Sequence, residues 1–361
     1  MQPWAAATTH CHPRPKKKKC AHTFIISCKF SFVFIFKAMS TITADIYAEF
    51  LQQDEHVMRD EVTMLSFKQA IAANAQLFAG ATVLEINCGG NPLLALWSAQ
   101  AGAARVLAVE SRPVCRVARQ LVQQNKLQHI IEVIEGELQQ LTLPAVDIIV
   151  SKWMGACLMF NSTLEALLYA RDKWLKTAGH IFPHSANLYM ALAAEPRQVA
   201  TNWSCYAASL NLSHALSVMR QTPRICCVDA SQMLSKRQLL RRLDLHKLQR
   251  QQLSFNVPFK LRTLRQGIAK WFVLYFDFSF PGVQLKPLST SPSAAPTQWQ
   301  QTLLHIDEHL PLCQGDALCG QFKLQRGQRH LDFDIDWQFA NQLLRIQRHK
   351  QIYRMQPQVK P

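Results

Sequence analysis

The sequence predicts an α/β fold in two parts, a parallel sheet flanked by helices and then an antiparallel β domain. Three observations carry that expectation. Short apolar runs near 82–86, 105–109, 130–134 and 146–151 alternate with segments of helical periodicity, the pattern of βαβ units. After Phe182-Pro183 that pattern gives way to short alternating runs separated by turn residues. The chain has 361 residues, 48% hydrophobic and 18% charged, enough for about two domains with full cores and unlike a disordered polypeptide.

Over 54–78, Val57, Met58, Val62, Leu65, Ala70 and Ile71 recur at helical spacing without proline or glycine between them. That predicts one helix, ended by Gly80. Residues 82–86 form a first strand. Cys88-Gly89-Gly90-Asn91 is a tight turn, and Pro92 suits the first position of a helix running to about Ala101. Residues 105–109 form a second strand, closed by Glu110; residues 113–125 are helical; 130–134 and 146–151 are further strands. Sheets of this kind bind ligands at the carboxyl ends of their strands. The turn at 87–91, Glu110, Gln139 and the loop at 152–154 all fall there. Beyond Pro183, the runs 188–191, 272–278, 322–324 and 331–335 read as antiparallel strands, with turns at Gly315-Asp316 and Arg326-Gly327 and a Ser/Pro/Ala loop at 289–296.

The net charge is +16, unevenly spread. Residues 1–39 hold seven of the 40 Lys/Arg and none of the 24 Asp/Glu. A second basic concentration over 220–270 includes Arg241, Arg242, Lys247, Arg250, Lys260, Arg262 and Arg265. Such a surface favours acidic partners or nucleic acid. A solvated, mildly basic face is the simpler reading, so nucleic acid is not expected as a partner. Eleven cysteines without any C-x-x-C point to reduced thiols in the cytoplasm or nucleus, and against a disulfide framework or zinc site. The histidines show no metal-ligand pattern either. Lys16 to Lys19 precede a broken apolar run at 24–36, superficially like a secretory signal. That run is too short for a membrane span of about 20 apolar residues. Met39-Ser40 reads as an ordinary start, so 1–39 is expected to be a disordered or artefactual extension, the alternative being a targeting or membrane-contact segment.

One stretch carries a more specific resemblance. It is Val150-Ser151-Lys152-Trp153-Met154-Gly155, with Asn161 and the run 168–175 after it. Ile181-Phe182-Pro183, the loop from Ser289 to Trp299, and Leu331-Asp332-Phe333 extend the match. Together they resemble the protein arginine methyltransferases over about residues 45–340. The resemblance implies a Rossmann-like S-adenosylmethionine-dependent methyltransferase domain at 40–182 and a β-barrel substrate domain at 183–361. It also implies a helical dimerisation arm near 199–216, and hence a homodimer or a heterodimer with a family relative. The implied reaction is methyl transfer to arginine of proteins such as histones or Gly/Arg-rich proteins.

Residue by residue, the resemblance implies that Glu110 meets the cofactor ribose. Gln139 stands at the position of an adenine-side glutamate. Asn87, Gly89 and Asn91 stand in a G-x-G-x-G turn of which only Gly89 remains, although Asn tolerates positive φ better than other non-glycine residues. Tyr47 is what remains of an aromatic lid. Thr63 replaces an arginine that holds the methionine carboxylate, a charge-assisted contact worth about 1.5–3 kcal/mol; Arg59 and Arg112 are candidate substitutes. On the substrate side, Lys152 and Asn161 replace two glutamates, and Gln298 replaces a histidine. Met154, which shapes the pocket beside the transferred methyl, is kept. Two carboxylates would hold a guanidinium bidentately and draw its charge away from the attacking nitrogen. A charged Lys152 instead repels it by roughly 4 kcal/mol at about 4 Å and an effective dielectric near 20. With the lost attraction added, that amounts to several orders of magnitude in rate, at about 1.4 kcal/mol per factor of ten. Three readings follow: a weakly active or inactive enzyme; a scaffold or heterodimer partner of an active relative; and a methyltransferase of changed specificity, with Lys152 attracting an anionic substrate.

Overall fold

A computed structural model describes residues 59–195, 211–282, 285–340 and 346–357, all within one unit, Ala44–Pro361. The extension at 1–39, Tyr47 and the 199–210 part of the expected arm lie outside the described residues. The described chain begins with α1 (Glu61–Ala73) and α2 (Ala75–Phe78). It then alternates β1 (Thr82–Ile86), α3 (Leu93–Gln100), β2 (Arg105–Glu110), α4 (Cys115–Gln124), β3 (Ile131–Glu135), β4 (Val146–Val150), α5 (Leu164–Trp174) and β5 (Leu175–Phe182). The helix expected over 54–78 is broken at Asn74. Its side-chain Nδ2 donates to the Ala70 carbonyl at 2.8 Å, the local backbone competition that makes asparagine a poor helix-interior residue. Pro92 caps α3 rather than opening it.

The five strands form one parallel sheet in the order β3-β2-β1-β4-β5. Strands β1, β2 and β4 are buried along most of their length, as near-continuous apolar runs require when helices cover both faces. The chain winds outward from β1 to β3 and then returns to the other side through β4. The β1/β4 boundary is therefore the topological switch point, where such sheets open a crevice. Register sets the strand ends level: Ile86 lies beside Val109, Glu110 beside Glu135, and Val150 beside Phe182.

After the cis Phe182-Pro183 bond the chain is mainly antiparallel. Its elements are β6 (Ser185–Ala193), α6 (Ser213–Gln221), β7 (Arg224–Cys226), β8 (Gln238–Asp244), β9 (Phe255–Arg262), β10 (Gly267–Ser279), β11 (Leu288–Ser289), β12 (Gln301–Leu312), β13 (Ala317–Arg326), β14 (Leu331–Ala340) and β15 (Ile346–Met355). One sheet runs β7-β12-β10-β6-β8, with β11 on β10; the other runs β15-β14-β13-β9. Their inner faces meet in the barrel core. Phe272 packs edge-on against Trp337 at 5.4 Å and Phe259 at 6.2 Å, and the Tyr353 hydroxyl donates to the His305 carbonyl at 2.6 Å. Among the described residues no helix is long and apolar enough to cross a membrane.

An aromatic seam joins the two halves. Phe67 of α1 meets Phe280 at 5.0 Å and Phe278 of β10 at 6.1 Å; Phe278 meets Trp299 at 5.9 Å, and Phe182 meets Phe280 at 6.2 Å. Arg171 of α5 adds a polar clasp, donating through Nη1 to the Leu245 and Leu248 carbonyls at 2.6 and 2.7 Å. Phe278 is fully buried, so Phe278→Ala is expected to lower the unfolding free energy by about 3–5 kcal/mol in a urea titration. The exposed Gln325→Ala should stay within about 0.5 kcal/mol of wild type. Equal losses from the two would mean that the seam does not form.

Candidate cofactor and substrate site

The turn after β1 lies at the switch point. Asn87 and Gly89 both adopt left-handed backbone, with φ of 56° and 70°. The Cys88 N–H donates to the Val109 carbonyl at 3.1 Å, which draws the turn over the end of β2. Glu110, fully buried at that end, receives donors on both carboxylate oxygens. Oε2 accepts from the Gly89 N–H at 2.9 Å and from Arg112 Nη2 at 3.0 Å; Oε1 accepts from the Arg112 N–H and Nε, each at 3.0 Å. Burial pushes the Glu110 carboxyl pKa up, but the Arg112 side-chain bonds and charge, with the Arg112 and Gly89 backbone N–H groups, outweigh it and hold it below its ordinary value. The Cys88 thiol is pushed well above its ordinary range by burial, then by Glu85, Glu110 and Cys115; the Lys152 ammonium opposes that rise.

Thr63 is buried in the first turn of α1 and belongs to a different network. Its N–H donates to Asp60 Oδ1 at 3.0 Å and its hydroxyl to Asp60 Oδ2 at 2.7 Å, which caps the helix. The same Oδ2 accepts the Gln298 backbone N–H at 2.9 Å, across 238 residues of sequence. The Thr297-Gln298-Trp299 loop is thereby fastened to α1. Trp299 then donates through its indole N–H to the Met154 carbonyl at 3.1 Å.

Residues 152–163 form a tight loop after β4. Gly155 N–H donates to Leu158 O at 3.0 Å, Phe160 N–H to Ala156 O at 2.8 Å, and Thr163 N–H to Trp153 O at 3.0 Å, which brings the two ends of the loop together. Gly155 is required here, since a Cβ would collide with the Phe160 carbonyl. Cys157, Leu158 and Asn161 are left-handed at φ of 48°, 69° and 52°. Trp153 and Met154 are buried, Lys152 is half-buried, and Asn161 is exposed on the rim. Gln139 is exposed in a short turn whose carbonyl accepts the Tyr169 hydroxyl at 3.3 Å.

Of the positions expected from the sequence, Asn87, Gly89, Asn91 and Glu110 stand together around the first turn, while Lys152 opens the loop after β4. Met154, Gln298 and Thr63 are joined in a chain through Trp299 and Asp60. Arg112 is the residue whose part the sequence did not reveal: considered for a carboxylate ligand, it pairs with the chain's own Glu110. Its place two residues beyond the strand end was the available signal.

A five-stranded parallel sheet joined to an antiparallel barrel is the two-domain architecture of the Rossmann-like methyltransferases. The arginine methyltransferase oligomerization subdomain family matches residues 184–342. Protein arginine N-methyltransferase 1 of Dictyostelium discoideum is 30% identical over 309 residues, 83% of this chain and 90% of the relative. Its Caenorhabditis elegans counterpart is 32% identical over 311 residues, 83% and 88% of the two chains. The solved Trypanosoma brucei PRMT1 enzyme-prozyme heterotetrameric complex with AdoHcy is similar in structure, with a TM-score of 0.81 at 26% identity, covering 85% of this chain and 98% of that one. The chain belongs to the protein arginine N-methyltransferase family.

Two outcomes test this geometry. Asp60→Ala removes the helix cap and the tether together and should cost about 1–3 kcal/mol in chemical denaturation, whereas Gln298→Ala keeps the backbone donor and should cost much less. Because the Glu110 pKa is depressed on folding, its contribution is complete above the ordinary value of 4.5 and disappears as pH falls through the folded value. The stability difference between wild type and Arg112→Gln should therefore be largest near neutral pH and shrink in acid.

Proposed function

We propose that this chain transfers methyl groups to arginine very slowly or not at all, and serves as a non-catalytic protein partner of an active relative in the cytoplasm or nucleus. The observation that carries this reading is the Arg112–Glu110 pair. Ribose hydroxyls need open acceptors on the carboxylate, and both Glu110 oxygens already receive donors from Arg112 and Gly89. The methionine carboxylate needs a cation, whereas Thr63 is neutral and its hydroxyl is turned to Asp60. Glu110 and Thr63, held as they are, thus suit S-adenosylmethionine poorly. On the substrate side, Lys152 and Asn161 present no carboxylate to a guanidinium.

The Trypanosoma brucei complex pairs an enzyme with a prozyme, and its likeness to this chain supports assembly with a second family chain. The match to an oligomerization subdomain supports assembly with a second family chain, identical or related.

Calorimetric titration of the full chain with S-adenosylmethionine is expected to show weak binding or none. Arg112→Ala should raise affinity about tenfold, because a charge-assisted contact of roughly 1.5–3 kcal/mol no longer competes for Glu110. Lys152→Glu with Asn161→Glu should not restore turnover by itself, since Thr63 and Arg112 remain. Micromolar binding by wild type, with labelled-methyl transfer to a Gly/Arg-rich peptide, would overturn the proposal.

A further inference from the structure

Asn161 lies between two cavities. One, of about 350 Å³, is lined by Met159, Phe160, Asn161 and Ser162 on one side and by the 326–331 turn on the other. The second, of about 650 Å³, runs from Asn161 past Arg224 to Met355. Among the described residues the titratable side chains in the first lining are Arg326, Arg329 and His330, and no acid lines either cavity. The nearest acids are already held. Glu165 is shared between Arg326 at 3.2 Å and Arg250 at 2.5 Å, so two guanidiniums meet one carboxylate and a positive charge is left over. Asp332 is held by both Nε and Nη2 of Arg354, at 2.6 and 2.8 Å, with His330 at 3.5 Å. Arg326 has a further unmet requirement: its Nη1 is buried without a hydrogen-bond partner.

We propose that the smaller cavity is a binding site for a carboxylate side chain of an acidic peptide segment on a partner protein. The choice of a protein ligand rests on the binding role argued above; the charge selectivity rests on the cavity itself. The guanidinium charge that Glu165 leaves uncompensated at Arg326, with Arg329 and His330 beside it in the lining, is matched by a carboxylate. Planar guanidinium groups match carboxylate geometry with paired donors. The volume falls within the range of small-ligand pockets and accommodates a Glu or Asp side chain. The same rim repels an arginine-rich segment, because Arg326 and Arg329 line it and Asn161 offers no acid to meet. The site would invert the charge preference expected of an arginine-methylating cleft.

Fluorescence polarisation on the full chain, with a labelled Glu-rich peptide and a labelled Gly/Arg-rich peptide, tests this directly. The Glu-rich peptide should bind and weaken as salt rises, and the Gly/Arg-rich peptide should bind at least tenfold more weakly. Arg329→Ala and Arg326→Gln should each reduce Glu-rich binding about tenfold. Asn161→Glu should reduce it too, and should strengthen binding of the Gly/Arg-rich peptide. Arg329 is exposed, so its variant decides the matter even if Arg326→Gln melts early. Equal binding of the two peptides, or indifference to Arg329→Ala, overturns the proposal. Displacement by equimolar inorganic phosphate would also overturn it, in favour of a site for free anions. Methyl transfer is read in the same preparation: arginine methylation would refute the non-catalytic reading, while the binding curves judge the acidic-peptide site on their own.

Discussion

One buried carboxylate keeps the two halves of this molecule in a fixed relation at the cleft. Asp60 is 6% exposed, and an acid that deep is tolerated only when its oxygens are filled with donors. The Thr63 N–H and hydroxyl fill them from α1, and the Gln298 N–H fills them from the barrel loop. From there the order propagates. The anchored loop carries Trp299, whose ring packs on Phe276 and Phe278 and whose indole fixes the Met154 carbonyl. Because Gln298 enters this network through its main chain, a glutamine where the family has histidine leaves the contact intact. Threonine at position 63 goes further, since its hydroxyl adds a bond to the acid.

The cleft is thus framed by buried contacts, and its charges differ from those the resemblance implies. Glu110 retains its negative charge, but the neighbouring guanidinium compensates it in place. Thr63 brings no cation, Lys152 brings one where the resemblance implies an anion, and Asn161 is neutral. Each change is local, and they act in the same direction. On the proposed reading, the site is less able to hold a cofactor carboxylate and less able to accept a substrate cation.

Much of the fold was legible in the sequence, for reasons that differ by element. Strands β1 and β2 could be bounded to within a residue because they are mainly apolar runs, Glu85 of β1 apart, closed by turn residues or an acid. The barrel strands were legible only at their centres. In β13, exposed Gln321 and Gln325 alternate with buried Phe322 and Leu324, so the ends of the ten-residue strand look like loop. The break at Asn74 depends on a single side-chain bond that periodicity does not report. The positions lining the cleft were legible through the resemblance, but their partners were not. Arg112 reaches Glu110 by way of a turn, and Asn161 shares a cavity with Arg326 and Arg329 only because the barrel folds back on the loop after β4. Neither juxtaposition leaves a periodic trace.

Burial explains how such a cleft can change character without cost to the fold. Trp153, Met154 and Trp299 are buried and retain the residues the resemblance implies; replacing any of them would open a cavity or strand a polar group. Asn161 and Gln139 are exposed and Lys152 is half-buried. Substitutions at such positions typically shift stability by no more than about 0.5 kcal/mol. The charges that would select a substrate thus sit where folding places few demands, and the frame that positions them sits where it places many. A protein that assembles with others needs the frame and a surface of suitable charge, and it does not need carboxylates in the cleft. The basic rim around Asn161, built from side chains that belong equally to the substrate loop and the barrel, is the surface that this frame holds in place.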